Sequence, residues 1–108
     1  MDTHIDSGRL NIHQVDTAAG ILKLLSDPTR LKILWALLHG EHSVGALAEH
    51  VQSKPAAVSQ HLAKLRIAQL VKVRRDGNRM FYMTDNDHVH KLIEHALSQA
   101  DHIIKRNK

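Results

Sequence analysis

The sequence contains no cysteine. That excludes disulfides, thiolate metal sites, iron–sulfur clusters and cysteine nucleophiles. No apolar run approaches the ~18 residues of a membrane span. The opening MDTHIDSGRL lacks the basic and apolar regions of a signal peptide, so a small cytoplasmic protein is expected. Catalytic signatures are missing as well: there is no nucleophile elbow, no phosphate-binding glycine loop and no His-Glu-x-x-His pair. An enzyme is not expected. What remains is one domain's worth of chain, 108 residues, with 43% hydrophobic residues for a modest core and 24% charged residues.

The charge is unevenly placed. Residues 1–52 carry 4 Lys+Arg against 6 Asp+Glu, residues 53–82 carry 7 against 1, and residues 83–108 carry 4 against 4. The whole basic excess therefore lies in one 30-residue block, the mark of a polyanion-binding surface on an otherwise ordinary domain. Ten histidines form the second anomaly. They point to a metal or to proton-linked behaviour.

Residues 1–10 are short, polar and without apolar period, and are expected to be a flexible segment. Ile12, Val15, Ala18, Ala19, Leu22 and Leu25 then recur at helical spacing. Asp27-Pro28 is a helix start, a capping side chain before proline at the first helical position. Leu31, Ile33, Leu34, Leu37 and Leu38 follow, with a stop at His39-Gly40. Ser43 opens a short helix through Val51, and Pro55 opens another with Val58, Leu62, Leu65 and Ile67 assigned to its buried side. From Leu70 the period changes to two: Val71 and Val73 alternate with Lys72 and Arg74, Phe81 and Met83 with Tyr82. Asp76-Gly77 between them signals a hairpin. Asp85 or Asn86 is the candidate cap of a last helix carrying Val89, Leu92, Ile93, Ala96, Leu97, Ala100 and Ile103.

This order is that of a mainly α winged helix-turn-helix with a small β-hairpin, α-α-α-α-β-β-α. The fourth helix would enter the major groove and the hairpin would be the wing. Ser59, Gln60 and His61 offer donors and acceptors to base edges, and glutamine can pair adenine at two points. Lys54, Lys64 and Arg66 are suited to backbone phosphates, while Arg74, Arg75, Asn78 and Arg79 would lie near phosphates or the minor groove.

The stretch Leu24–Leu34 (LLSDPTRLKIL), together with Val58–Arg66 (VSQHLAKLR) and the wing Val73–Tyr82 (VRRDGNRMFY), resembles the ArsR/SmtB family of bacterial metal-responsive repressors. The resemblance covers roughly residues 14–104. It implies a homodimer joined by the first and last helices, an inverted-repeat operator, and release from DNA when an inducer binds. Many members carry glycine where Gln69 stands, so the turn there departs from the usual pattern.

A chain without cysteine cannot form the family's thiolate sites. The last-helix site, built from carboxylate and imidazole, suits zinc, nickel and cobalt. His88 and His102 match its pattern, whereas Asn86 and Gln99 replace two of the four standard zinc ligands. The altered pattern resembles the nickel/cobalt-sensing branch, which implies His88, Asp101 and His102 as ligands for Ni(II) or Co(II), with Zn(II) as a third candidate. His4 or His13 would complete the shell. On one helix His88 and His102 are ~21 Å apart, so the site must join two antiparallel helices across a dimer axis, with His95 midway on the same stripe. Asp101 lies about 140° off that stripe. The expected organisation is a flexible segment 1–10, a DNA-binding and dimerisation domain 11–104, and a tail 105–108. The alternative is a winged-helix repressor with no metal response.

Overall fold

A computed structural model describes residues 9–108, so His4 and most of the 1–10 segment lie outside the described residues. Seven elements follow in order: α1 (Ile12–Leu25), α2 (Pro28–Leu38), α3 (Val44–Val51), α4 (Pro55–Ile67), β1 (Val71–Asp76), β2 (Arg79–Thr84) and α5 (Asp87–Arg106). This is the winged helix-turn-helix order.

The helix starts are chemical. Asp27 Oδ1 accepts from the N–H groups of Thr29 and Arg30 at 2.8 and 3.2 Å, with Pro28 at the first helical position, where no donor is needed. Ser43 Oγ accepts from Ala46 N–H at 3.2 Å. Of the two candidate caps for the last helix, Asn86 is the one used: its Oδ1 accepts from His88 and Val89 N–H, and its Nδ2 donates to Asp85 Oδ2.

Two helix ends need a left-handed residue, and neither uses glycine. Gln52 (φ 55°) closes α3 and Gln69 (φ 63°) closes α4. After α4, Gln69 N–H donates to Arg66 O at 3.0 Å and Leu70 N–H to Leu65 O at 2.9 Å. That is the paired bonding of a Schellman stop, with Leu65 and Leu70 both buried beside it. The turn that Gln69 brought into question is thus the ordinary one, held by a residue that costs ~1–2 kcal/mol more there than glycine.

β1 and β2 pair antiparallel, Val71 opposite Thr84 through Asp76 opposite Arg79, so within the Arg75–Asn78 stretch the hairpin loop is Gly77-Asn78. Gly77 has φ +62° and Asn78 does not share the positive φ. That arrangement suits a II′ turn, which needs glycine at its first central position. A one-residue bridge adds the α2–α3 loop to the wing: His42 N–H donates to Tyr82 O at 3.0 Å, and Tyr82 N–H to His42 O at 2.8 Å.

Ile33, Leu34, Leu47, Val58, Leu62, Leu65, Val71 and Ile93 are the fully buried core. Each such side chain stabilises by roughly 1.5–3 kcal/mol. Among the described residues no polar side chain is buried with them. Ile67, assigned from sequence to the buried side of α4, is instead 83% exposed. It stands two residues, about 200°, from Leu65, on the face turned away from α2 and α3. Leu62→Ala is expected to cost about 2–5 kcal/mol in denaturant unfolding at fixed protein concentration. Gln60→Ala, on the opposite face, is expected to stay within about 0.5 kcal/mol. Equal effects would refute this assignment of faces.

The two end helices are under-packed. α1 buries only Leu25, and α5 buries only Val89 and Ile93 of its 20 residues. Ile12, Val15 and Leu22 of α1 and Leu97, Ile103 and Ile104 of α5 are left exposed.

Candidate nucleic-acid interface and last-helix metal site

Because Val58, Leu62 and Leu65 fix α4 to the core, its opposite face is set toward solvent. Ser59, Gln60, Lys64 and Arg66 are exposed there, and so is Lys54 at the helix entrance. A groove lined by Ser59, Leu62, Ala63, Arg66, Ile67 and Tyr82 separates this face from the wing. Arg75, Asn78 and Arg79 are exposed on the hairpin. The structure therefore presents nine of the ten residues singled out for DNA on two adjoining exposed surfaces, helix α4 and wing.

The tenth, His61, is half-buried. Its Nδ1 accepts a hydrogen bond from Arg30 Nε at 3.1 Å. One ring nitrogen is thus engaged inside the protein and only Nε2 is left for DNA. Arg74 is also engaged: its Nε donates to Glu41 Oε1 and Oε2 at 3.0 and 2.8 Å, and its Nη2 bonds Glu41 as well. Arg74 in turn holds the Glu41 carboxyl below the ordinary glutamate range, and Glu41 raises Arg74 above the ordinary arginine value, each through this hydrogen bond first. The guanidinium groups of Arg74 and Arg79 lie 4.7 and 5.2 Å from the Phe81 ring centroid. The ring is a platform that orients both cations. At the N-terminus of α2, the Asp27 carboxyl is lowered first by the Arg30 N–H it caps.

Arg30 and Glu41 were not singled out from sequence. Their partners lie 31 and 33 residues away, and no local period or motif encodes such a pairing. A second cluster was also missed. His39 and His50 lie 4.4 and 6.2 Å from the Trp35 ring, and His42 packs edge-on to His50 at 5.8 Å. His90 joins Trp35 and His39 in a groove between α2 and α5 and approaches Glu94 at 3.6 Å.

His88, Asp101 and His102 are exposed at opposite ends of α5. Among the described residues of one chain no three metal-ligating side chains come together. Asp101 pairs with Lys105 at 3.0 Å, and His102 Nε2 is hydrogen-bonded by Arg106. Asn86 is committed to the helix cap. The imidazole-carboxylate donor set fits Ni(II), Co(II) or Zn(II). The competing contacts are exposed pairs on a helix surface, worth ~0–1 kcal/mol, which a metal can displace.

Residues 27–73 match the family described as "Bacterial regulatory protein, arsR family". The chain is 46% identical over 89 residues to the HTH-type transcriptional regulator KmtR of Mycobacterium tuberculosis, covering 82% of this chain and 68% of that protein. It is 35% identical over 102 residues to a cadmium resistance transcriptional regulatory protein CadC homolog of Staphylococcus aureus, covering 87% of this chain and 84% of the other. Among solved structures it is similar to the homodimeric winged helix-turn-helix DNA-binding domain of a possible ArsR-family transcriptional regulator from Mycobacterium bovis. The TM-score is 0.82 and the identity 28%, over 93% of this chain and 94% of that one.

Proposed function

The chain belongs to the ArsR family of bacterial regulatory proteins, and from that premise we propose that it is a homodimeric, metal-responsive transcriptional repressor acting on operator DNA in the cytoplasm. Residues 11–104, with α5 running on to Arg106, serve as one DNA-binding and dimerisation domain. The observation that carries the DNA reading is the exposed polar face of α4 set beside an arginine-bearing wing. Ser59 and Gln60 face base edges. Lys54, Lys64, Arg66, Arg75 and Arg79 meet phosphates, Asn78 donates from the wing tip, and His61 and Arg74 contribute from positions tied to Arg30 and Glu41. Support for the dimer comes from the exposed apolar side chains of α1 and α5 and from the homodimeric relative.

The same α5 offers a second face. His95 lies two residues, so about 160° around the helix, from buried Ile93. The apolar side of α5 can pack on one partner helix while the imidazole side meets another. His88 of one protomer then comes near Asp101 and His102 of the partner subunit, giving two symmetric sites. A bound Ni(II), Co(II) or Zn(II) ion would supply coordinate bonds joining the two last helices there. Held in that geometry, the two α4 helices fit successive major grooves less well, and DNA is released. His13, on the exposed first turn of α1, is a candidate further donor. The cadmium-resistance name of one relative supports a metal signal.

The test is fluorescence anisotropy of chelator-stripped protein on a duplex selected by the protein itself from a randomised pool, at fixed salt. Ni(II), Co(II) and Zn(II) are titrated separately. Release by at least one ion is expected to weaken DNA binding about 5–150-fold, with the effect lost in His88→Ala and His102→Ala. DNA binding indifferent to all three ions would overturn the metal response. That second reading, a repressor without metal response, is favoured by one observation: Asp101 and His102 already hold partners on their own helix.

A further inference from the structure

Arg30 sits where three helices meet. Its backbone N–H donates to Asp27 Oδ1 at 3.2 Å, its Nη1 to the carbonyl of Leu24 in the last turn of α1 at 3.0 Å, and its Nε to His61 Nδ1 in α4 at 3.1 Å. A guanidinium has five N–H donors and no acceptor. His61 Nδ1 must therefore present its lone pair to Arg30, and the proton of the neutral imidazole resides on Nε2. Among the described residues Nε2 has no hydrogen-bond partner. Arg30 thus makes His61 an Nε2–H donor with one orientation, and anchors it to the end of α1.

His61 also occupies a particular place on α4. It is about 40° around the helix from buried Leu65, 60° from exposed Lys64 and 100° from exposed Gln60. That is the flank of the exposed face, and the half-burial of the ring agrees. When a helix lies in the major groove, a donor at its flank meets the backbone bordering the groove rather than the base edges at its floor.

We infer that Arg30 is a positioning residue for DNA binding. It fixes His61 so that the Nε2–H donates from the flank of α4 to a phosphate oxygen. This rests on the reading of α4 as the helix that enters the groove. Arg30 itself does not touch DNA, so its contribution passes entirely through His61.

The experiment is a double-mutant cycle of Arg30→Met and His61→Ala on a fluorescein-labelled duplex selected by the wild-type protein, repeated on a scrambled duplex at low salt. Each single variant is expected to weaken binding by the dimer about a hundredfold, about tenfold for the one donor contact to a charged acceptor lost in each protomer. The double variant should be no weaker than either single. The loss should be equal on both duplexes, as a phosphate contact requires. Long-range 1H–15N correlation spectra of the free protein should show His61 protonated at Nε2 alone. Arg30→Met should convert it to a mixture of tautomers. Arg30→Lys keeps the charge without the Nε geometry and should lose as much affinity as Arg30→Met, with an unchanged thermal melt as the control for folding.

Additive losses in the cycle would make Arg30 an independent DNA contact and overturn the proposal. Losses confined to the selected duplex would overturn the phosphate assignment. A wild-type tautomer protonated at Nδ1 would overturn the positioning bond. If the pool yields no bound duplex, the reading of α4 falls and this proposal falls with it, an outcome distinct from a bound duplex with an additive cycle.

Discussion

Aspartate at Leu97 and Ile104 is expected to convert the dimer into a folded monomer and to weaken operator binding more than a hundredfold. Both side chains lie on the side of α5 that continues the line of Val89 and Ile93, by the helical count of about 100° per residue. Val89 and Ile93 pack into the protomer's own core, while Leu97 and Ile104 are 38% and 61% exposed. A twofold interface uses the same patch twice, so the double substitution places four carboxylates in it. Each loses an apolar burial of roughly 1.5–3 kcal/mol and adds a charge without a partner. The protomer core does not use these positions, so helix content should be retained. Two linked half-site contacts gain about 10²–10⁴ in affinity over one, which sets the size of the loss. Sedimentation equilibrium and anisotropy on the selected duplex measure both quantities. A variant that stays dimeric, or a monomer that binds as tightly as wild type, would refute the role given to this face.

What the sequence made legible was what is written locally. Asp27-Pro28, Ser43 and Pro55 declare helix starts through their own caps and φ preferences, and all three act as starts in the structure. The change of period at Leu70 announced the wing. Ile67 was misplaced because an apolar residue at a helix end carries no label for the side it faces: the period fits Val58, Leu62 and Leu65, and Ile67 falls outside it. The hairpin turn falls within the Arg75–Asn78 stretch, but its two central residues were not legible there, because glycine serves I′ turns at the second central position and II′ turns at the first, and only strand register decides between them. The ties of Arg30 to His61 and of Glu41 to Arg74 were invisible for a different reason. They exist only once α2 meets α4 and the α2–α3 loop meets the wing. The long separation of His88 from His102 along α5 could be computed, but whether the two meet depends on a second chain.

The salt dependence of DNA binding carries the second large effect, and Glu41 makes it discriminating. Lys54, Lys64, Arg66, Arg75 and Arg79 have no ion-pair partner among the described residues, whereas Arg74 is held by Glu41. On the proposed reading these five cations would make ten phosphate contacts per dimer, for a slope of log K against log salt of about −9. Affinity should then fall about 10⁵-fold between 50 and 200 mM salt. Arg75→Ala removes one contact per protomer and should flatten the slope by about 2. Arg74→Ala should leave it nearly unchanged, because an arginine already neutralised by a carboxylate displaces no counterion from DNA. Glu41→Gln is the decisive variant. It releases the Arg74 guanidinium while Phe81 still orients it, so binding should tighten and the slope should steepen by about 2. If Arg74→Ala flattens the slope as much as Arg75→Ala does, Arg74 leaves Glu41 for phosphate when DNA arrives. Glu41 would then be a resting partner that the DNA backbone displaces, and Glu41→Gln would tighten binding without changing the slope.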